Sequence, residues 1–296
     1  MTEKELIALA GARFGKRRPA FLKVGIGDDC AVINFDAKND LIVTCDTLAE
    51  GTHFLKGTAP ELLARKLLAV NLSDAAAMAG IPLWGILSLA APKNVPEAFL
   101  KRFMAALGKE AEKYGVSIIG GDSVRGKDLV LTLTLAGKVE KGRALLRSGA
   151  KPGDLVVVTG RLGSTFESGK HLTFEPRLKE ARSLARYFSP SAMMDLSDGL
   201  LEDGRRMAES SGVTLKLRGA DVPLNAGADL KGALTDGEDF ELLLCVPKGN
   251  WDEKRAERFR KRFKLELTVI GEAAKKSGES LLLDGKAPRG RGYAHF

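Results

Sequence analysis

The stretch RSGAKPGDLVVVTG, residues 147–160, decides how this chain is organised. Gly149, Pro152 and Gly153 cluster just ahead of LVVVTG, a β-branched run, so a turn-rich connection feeds a new strand. On both sides, short strand-like runs alternate with helical patterns. LIVTC (41–45), VSIIG (116–120) and LVLTLTLAG (129–137) precede the connection, and ELLLCVP (241–247) follows it. TAPELLARKLLAVNLSDAAAMAG (58–80) has helical spacing, with Thr58 as candidate cap, Pro60 in the first turn and Gly80 at the stop. PEAFLKRFMAALGKEAEKYG (96–115) is likewise opened by a proline and closed by a glycine. The chain therefore reads as two α/β halves, 1–148 and 149–296, each of about the usual domain length.

Composition narrows the class. With 44% apolar and 28% charged residues the chain can bury a core, which excludes general disorder. AGIPLWGILSLAAP (79–92) is the longest nearly uncharged stretch; Pro82 and Gly85 break it, and it falls short of the roughly 20 residues a membrane span requires. In MTEKELIALAGARFGKRRP the positive charge follows the apolar part, the reverse of a secretory signal, so a cytoplasmic protein is expected. Cys30, Cys45 and Cys245 are odd in number and lack zinc spacing, which points to reduced structural thiols. His53, His171 and His295 are too scattered to suggest a local ligand cluster.

Against a formal net charge of +8, the carboxylates recur at glycine-rich places. GIGDDCAVI (25–33) carries Asp28 and Asp29; TCDTLAEGTHF (44–54) carries Asp46 just past a strand; IIGGDSVRG (118–126) carries Asp122 directly after another. AMMDLSDGLLEDG (192–204) presents Asp195 and Asp198, and LTDGEDFELLL (234–244) presents Asp236, Glu238 and Asp239. Any one of these reads as a turn or a helix cap. Asp74 does not, because it occupies the apolar stripe Leu63, Leu67, Val70, Asp74, Met78 in mid-helix. A buried, unpaired carboxylate costs several kcal/mol, so a cationic partner is expected there. Taken jointly, converging carboxylates call for a hard divalent cation, and scattered Asp residues suit a Mg²⁺-nucleotide site rather than zinc or an EF-hand. TGRLGST (159–165) lacks the lysine of a Walker A loop and the protein-kinase loops are missing, so the phosphate chemistry would run mainly on metal ions.

These segments, with GRALLRSGAKPGD (142–154) and the terminal RGYAHF (291–296), stand in an order and spacing that resembles the thiamine-monophosphate kinase family along nearly the whole chain. HLTFEPRL (171–178) resembles that family's His-Leu and Pro-Arg signal. The resemblance implies a two-domain, aminoimidazole ribonucleotide synthetase-like α/β fold with mixed sheets. It also implies a homodimer built through the N-terminal halves. Carried over by residue, it implies several Mg²⁺ ions held by Asp29, Asp46, Asp74, Asp122, Asp195 and Asp198, helped by Thr44 and the backbone of Cys45. ATP would meet Gly121, Asp122, Arg147 and Ser197, and His53, Glu238 and Tyr293 would line the pocket for thiamine monophosphate. The implied reaction moves the ATP γ-phosphoryl group directly to the phosphate of thiamine monophosphate, with no covalent enzyme intermediate. The sequence departs from the family pattern at Cys45, where Thr or Ser is usual, and at Asp236, where Gly is usual.

Two other readings remain open at this level. A related ATP-dependent enzyme, resembling aminoimidazole ribonucleotide synthetase or a hydrogenase maturation protein, would keep the Asp set and change the acceptor pocket. A nucleic-acid-binding protein would use the basic stretches GKRRP (15–19) and EKRAERFRKRFK (253–264). In the second of these, Ala256, Phe259 and Phe263 fall at helical spacing, which makes its cations the wet face of an amphipathic helix.

Overall fold

A computed structural model describes residues 2–14, 19–288, 290 and 292–293. Residues 15–18 of the first basic stretch, and His295 with most of RGYAHF, lie outside them. The first half opens with helix α1 (Glu3–Phe14) and builds a six-stranded sheet from β1 (Leu22–Val24), β2 (Ala31–Asn34), β3 (Asn39–Ala49), β4 (Ile81–Ala91), β5 (Ser117–Arg125) and β6 (Val130–Glu140). Its order is β1-β2-β3-β6-β4-β5, antiparallel except for the parallel β4–β5 pair. Helices α2 (Pro60–Ala77) and α3 (Glu97–Tyr114) connect its strands.

The second half makes its own sheet from β7 (Leu155–Thr159), β8 (Ala192–Asp195), β9 (Val213–Leu217), β10 (Leu242–Val246), β11 (Leu267–Lys275) and β12 (Leu281–Leu283), ordered β12-β9-β11-β7-β10-β8. Only β12–β9 is parallel. Helices α4 (Leu178–Phe188), α5 (Leu200–Ser211), α6 (Leu230–Thr235) and α7 (Glu253–Phe263) complete it. The architecture is mixed α/β with one sheet on each side of the 147–154 connection. On that ground we propose a division into domains at residue 148.

Helix α2 explains how the halves combine. Fourteen of its eighteen residues are buried, because it packs on β3, β6 and α3 and also on α4 and β8 of the other half. A helix enclosed on all sides needs small and aliphatic residues all round, which the run of Ala and Leu supplies. Its ends differ from the sequence expectation. Ala59, not Thr58, is the N-cap residue, and the Thr58 hydroxyl donates to the Leu55 carbonyl instead. The helix stops at Ala77, Ala79 takes a left-handed φ of 57°, and Gly80 is needed for a different reason: a Cβ there would sit 2.3 Å from Ile42 Cδ1.

Three further expectations are corrected. The stretch 79–92, read only as too short for a membrane, holds β4, an inner strand; its backbone shifts register between Pro82 and Trp84, which accommodates the proline. Asp46 is not past a strand end but inside β3, because β3 and β6 pair continuously from Asn39↔Glu140 to Ala49↔Val130. Asp122 likewise lies inside β5, opposite Ser88. The amphipathic reading of 253–264 holds, since α7 buries Ala256 and Phe259. Among the described residues, no helix is long and apolar enough to cross a membrane. The three cysteines are free.

Candidate active site

Strand alternation decides which side chains of β3 reach the site. Ile42, Thr44, Asp46 and Leu48 share the face packed on α2, whereas Cys45 and Thr47 point to the opposite face. Asp74 meets that face from α2, so Asp74 and Asp46 share a hydrogen bond and the Thr44 hydroxyl donates to Asp74. Asp29 arrives from the glycine-rich loop after β1, and Asp195 from the end of β8. Asp29, Asp74 and Asp195 each bring a carboxylate oxygen within 4.8 Å of the others.

The loops carrying these groups are held by a second layer of bonds. Asp203 of α5 accepts from the backbone N–H groups of Ser197 (3.0 Å) and Asp198 (2.9 Å), which fixes the 195–199 loop. Arg206, one turn on, donates to Asp198 and Asp203. Glu238 N–H donates to Ser197 O (2.7 Å) and Phe240 N–H to Leu196 O (2.8 Å), stitching the 235–240 loop onto it. That loop stays strained: Glu238 and Phe240 both adopt left-handed φ, 55° and 50°, in a region side chains rarely occupy. Gly292 lies so near Asp198 that a Cβ would meet its carbonyl at 2.0 Å, and the Tyr293 N–H donates to that oxygen (3.0 Å).

Around these groups opens a cleft of about 1490 Å³, lined by Asp28, Asp29, Thr44, Cys45, Asp46, His53, Asp74, Arg147, Ser197, Asp198, Glu238 and Tyr293. That exceeds the roughly 300–1,000 Å³ of a single-ligand pocket and suits two substrates side by side. Two expected residues are not brought here. Gly121 faces Leu87, and its lack of a Cβ is structural, because one would lie 1.9 Å from the Leu87 carbonyl. The pairing Asp46↔Leu133↔Leu87↔Gly121 puts three strand spacings, about 14 Å, between Asp46 and Gly121, and Asp122 points to the opposite face of the sheet.

The electrostatics favour a bound positive charge. Asp29 Oδ1 accepts from Arg147 Nε (3.0 Å) and Nη2 (2.6 Å), but Oδ2 is buried without a partner among the described residues. Among the described residues no side-chain cation pairs with Asp74; its neighbours are Thr44 and the carboxylates of Asp46, Asp195 and Asp29. Burial and mutual repulsion push these groups up: Asp46 to about 6, Asp195 to about 7, and Asp74 well above the ordinary value. An all-oxygen donor set with one orphaned oxygen, its three carboxylates each offering an atom within 4.8 Å of the others, fits such an ion. Asp29, Asp74 and Asp195 would hold it, with Asp46 beside them.

A pH prediction follows from these raised values. A carboxyl whose folded pKa lies above its unfolded value stabilises the fold only while protonated, so the contribution is complete below the ordinary value of 3.8 and is lost as pH rises from there through about 6 to 7. Without divalent ions the melting temperature should therefore fall between pH 5 and pH 8. Added Mg²⁺ should raise it more at pH 8 than at pH 5, since bound metal replaces the protons. Thermal melts at both pH values, with and without Mg²⁺, check this; an equal Mg²⁺ effect at both would contradict it.

With the geometry in place, comparison with known proteins defines the class. Residues 27–139 match the family model "AIR synthase related protein, N-terminal domain" and residues 151–284 match "AIR synthase related protein, C-terminal domain". The thiamine-monophosphate kinase of Buchnera aphidicola subsp. Acyrthosiphon pisum is 37% identical, over 91% of this chain and 90% of its own. That of Bacillus subtilis is 35% identical, over 92% and 93%. A solved structure, "AaThiL complexed with AMPPCP and TMP", superposes with a TM-score of 0.85 at 30% identity, covering 100% of this chain and 97% of that one. The chain belongs to the thiamine-monophosphate kinase family.

Sequence reasoning missed several buried residues that support the walls of the cleft. Asp203 was hidden as an ordinary first-turn acid of α5, although its spacing from Asp198 suits a residue bonding back to a loop. Lys66 left no periodic signal, because α2 is buried all round and no polar stripe stands out. It is fully buried, and its Nζ donates to the His53 carbonyl (2.7 Å) and to Glu238 Oε2 (2.5 Å) and lies 2.8 Å from His171 Nδ1. His53 and His171, scattered in sequence, therefore meet at one ammonium.

Proposed function

We propose that this chain is a Mg²⁺-dependent kinase that transfers the γ-phosphoryl group of ATP to the phosphate of thiamine monophosphate, releasing thiamine diphosphate and ADP. The observation that carries the reading is the convergence of Asp29, Asp74 and Asp195 on one point, with an unpartnered oxygen, at the wall of a cleft large enough for both substrates. The relative described with AMPPCP and TMP supports the choice of substrates. An acceptor phosphate oxygen forms the new bond to Pγ as the bond from Pγ to the β,γ-bridging oxygen breaks, leaving ADP. The acceptor is already an anion at neutral pH, so no side chain has to remove a proton. What remains is repulsion between two polyanions, and Mg²⁺ supplies the charge neutralisation there.

The chain's own residues bind and orient. Arg147 lines the cleft with Nη1 unbonded among the described residues, leaving a donor edge for a phosphate while its other edge holds Asp29. Ser197 sits on the loop pinned by Asp203, facing the nucleotide in this reading. His53, Glu238 and Tyr293 form the acceptor end. The setting proposed is the cytoplasm.

We also propose that two copies pair through the N-terminal sheet, so that Asp122 and Gly121 serve the partner's nucleotide rather than their own. The sheet face carrying Cys45, Thr47, Ile86, Asp122 and Val124 is uncovered by any described helix, and Ile86 and Val124 are exposed. β5 is an edge strand. Such an edge and face need a cover, and closed two-fold pairing supplies one. Calorimetric titration checks the ligands: thiamine monophosphate should bind in the presence of Mg²⁺ and a non-hydrolysable ATP analogue. Absence of heat from it, with normal binding of the analogue, would keep the nucleotide site and discard this acceptor.

A further inference from the structure

We propose that Lys66 is the positioning residue of the acceptor end of the cleft, acting through Glu238 and His53, with His171 as its partner. The inference rests on the reading given under Proposed function. A fully buried lysine is rare unless it is paired. Here the ammonium has three hydrogens and three neighbours: the His53 carbonyl, Glu238 Oε2 and His171 Nδ1, at 2.7, 2.5 and 2.8 Å. His53 and Lys66 belong to the first half of the chain, whereas His171 and Glu238 belong to the second. One buried charge thus joins the two walls of the pocket.

The geometry leaves one oxygen of Glu238 for a ligand. Oε2 is taken by Lys66 and lies 2.9 Å from His171 Nδ1, while Oε1 receives no hydrogen bond from any described residue. Glu238 lines the cleft, with its side chain 21% exposed. Burial opposes ionisation of this carboxyl, but the nearby His171 ring and the Lys66 charge hold it below the ordinary carboxylate range. It is therefore kept as an acceptor-only anion, suited to a substrate that offers an N–H donor, as an aminopyrimidine does. The backbone at Glu238 is in a left-handed conformation, φ 55°, so the loop that carries the carboxylate is fixed in a conformation side chains rarely adopt. His171 is itself locked, 4% exposed and stacked on Phe166 with ring centroids 4.4 Å apart.

Removing the ammonium takes the charged donor from Oε2 and from the His53 carbonyl together and lets Glu238 turn toward solvent. The test is a double-variant cycle read in steady-state kinetics. Lys66→Met should raise KM for thiamine monophosphate at least about tenfold and leave KM for ATP within about twofold. In a Glu238→Gln background the same change should add little, because the path through Glu238 is already broken. His171→Asn, a milder change that keeps a polar side chain at this buried position, should raise the same KM by a smaller factor and serves if Lys66→Met does not fold. Equal changes in both KM values, or additive effects with Glu238→Gln, would overturn the inference alone, since a merely structural lysine would act that way. An unmodified chain that leaves thiamine monophosphate unphosphorylated would overturn both the functional reading and this one.

Discussion

Asp74→Asn should abolish phosphoryl transfer, by about a thousandfold or more, while making the metal-free protein melt at a higher temperature. The two effects have one cause. Asp74 stands in a helix interior against Thr44, Asp46, Asp195 and Asp29, and burial with these like charges pushes its carboxyl far up. A neutral amide of the same shape keeps the Thr44 hydrogen bond and removes the repulsion, which stabilises the protein in metal-free solution at neutral pH. The same amide is a weak ligand for Mg²⁺, so the gain in melting temperature on adding Mg²⁺ should shrink. Differential scanning calorimetry with and without Mg²⁺, beside a kinetic assay, measures all three. A variant less stable without metal, yet still stabilised by it as the unmodified protein is, would show that Asp74 serves the fold rather than the ion.

Asp122→Ala should be as inactive as Asp74→Asn, and mixing the two inactive proteins should restore activity. Asp122 is exposed on β5, about three strand spacings from Asp46 and on the other face of the sheet, so its own cluster is out of reach. If it serves the partner, a mixed dimer holds one complete site: the acid cluster of the Asp122→Ala chain with Asp122 from the Asp74→Asn chain. Random exchange of subunits would then give about one quarter of the unmodified activity. The substitution lies on the surface and should cost little stability. No recovery after verified subunit exchange would place Asp122 outside the site altogether.

What the sequence could convey depended on the kind of constraint. Asp74 was legible because one carboxylate in an otherwise apolar helical stripe violates a simple rule. The strands 116–120, 129–137 and 155–160 were legible from β-branched runs. Strand β4 was not, since Pro82 and Gly85 are read as breakers, and only pairing with β5 and β6 on both sides overrides them. Asp46 and Asp122 were placed at strand ends because flanking glycines and threonines look like turns; eleven continuous pairs with β6 carry β3 through Asp46. The meeting of Lys66, His53, His171 and Glu238 has no local signature at all, because the contacts join residues up to 172 positions apart. Such convergence is a property of the tertiary fold.

The central claim is tested most directly by chromatographic analysis of products after the purified protein is mixed with ATP, Mg²⁺ and thiamine monophosphate, with Asp74→Asn and a chelated sample alongside. The account predicts thiamine diphosphate and ADP in equal amounts from the unmodified protein with metal, and neither control forming the diphosphate. ADP and inorganic phosphate without thiamine diphosphate, under conditions where Mg²⁺-dependent nucleotide binding is intact, would contradict it and assign the cleft to another acceptor.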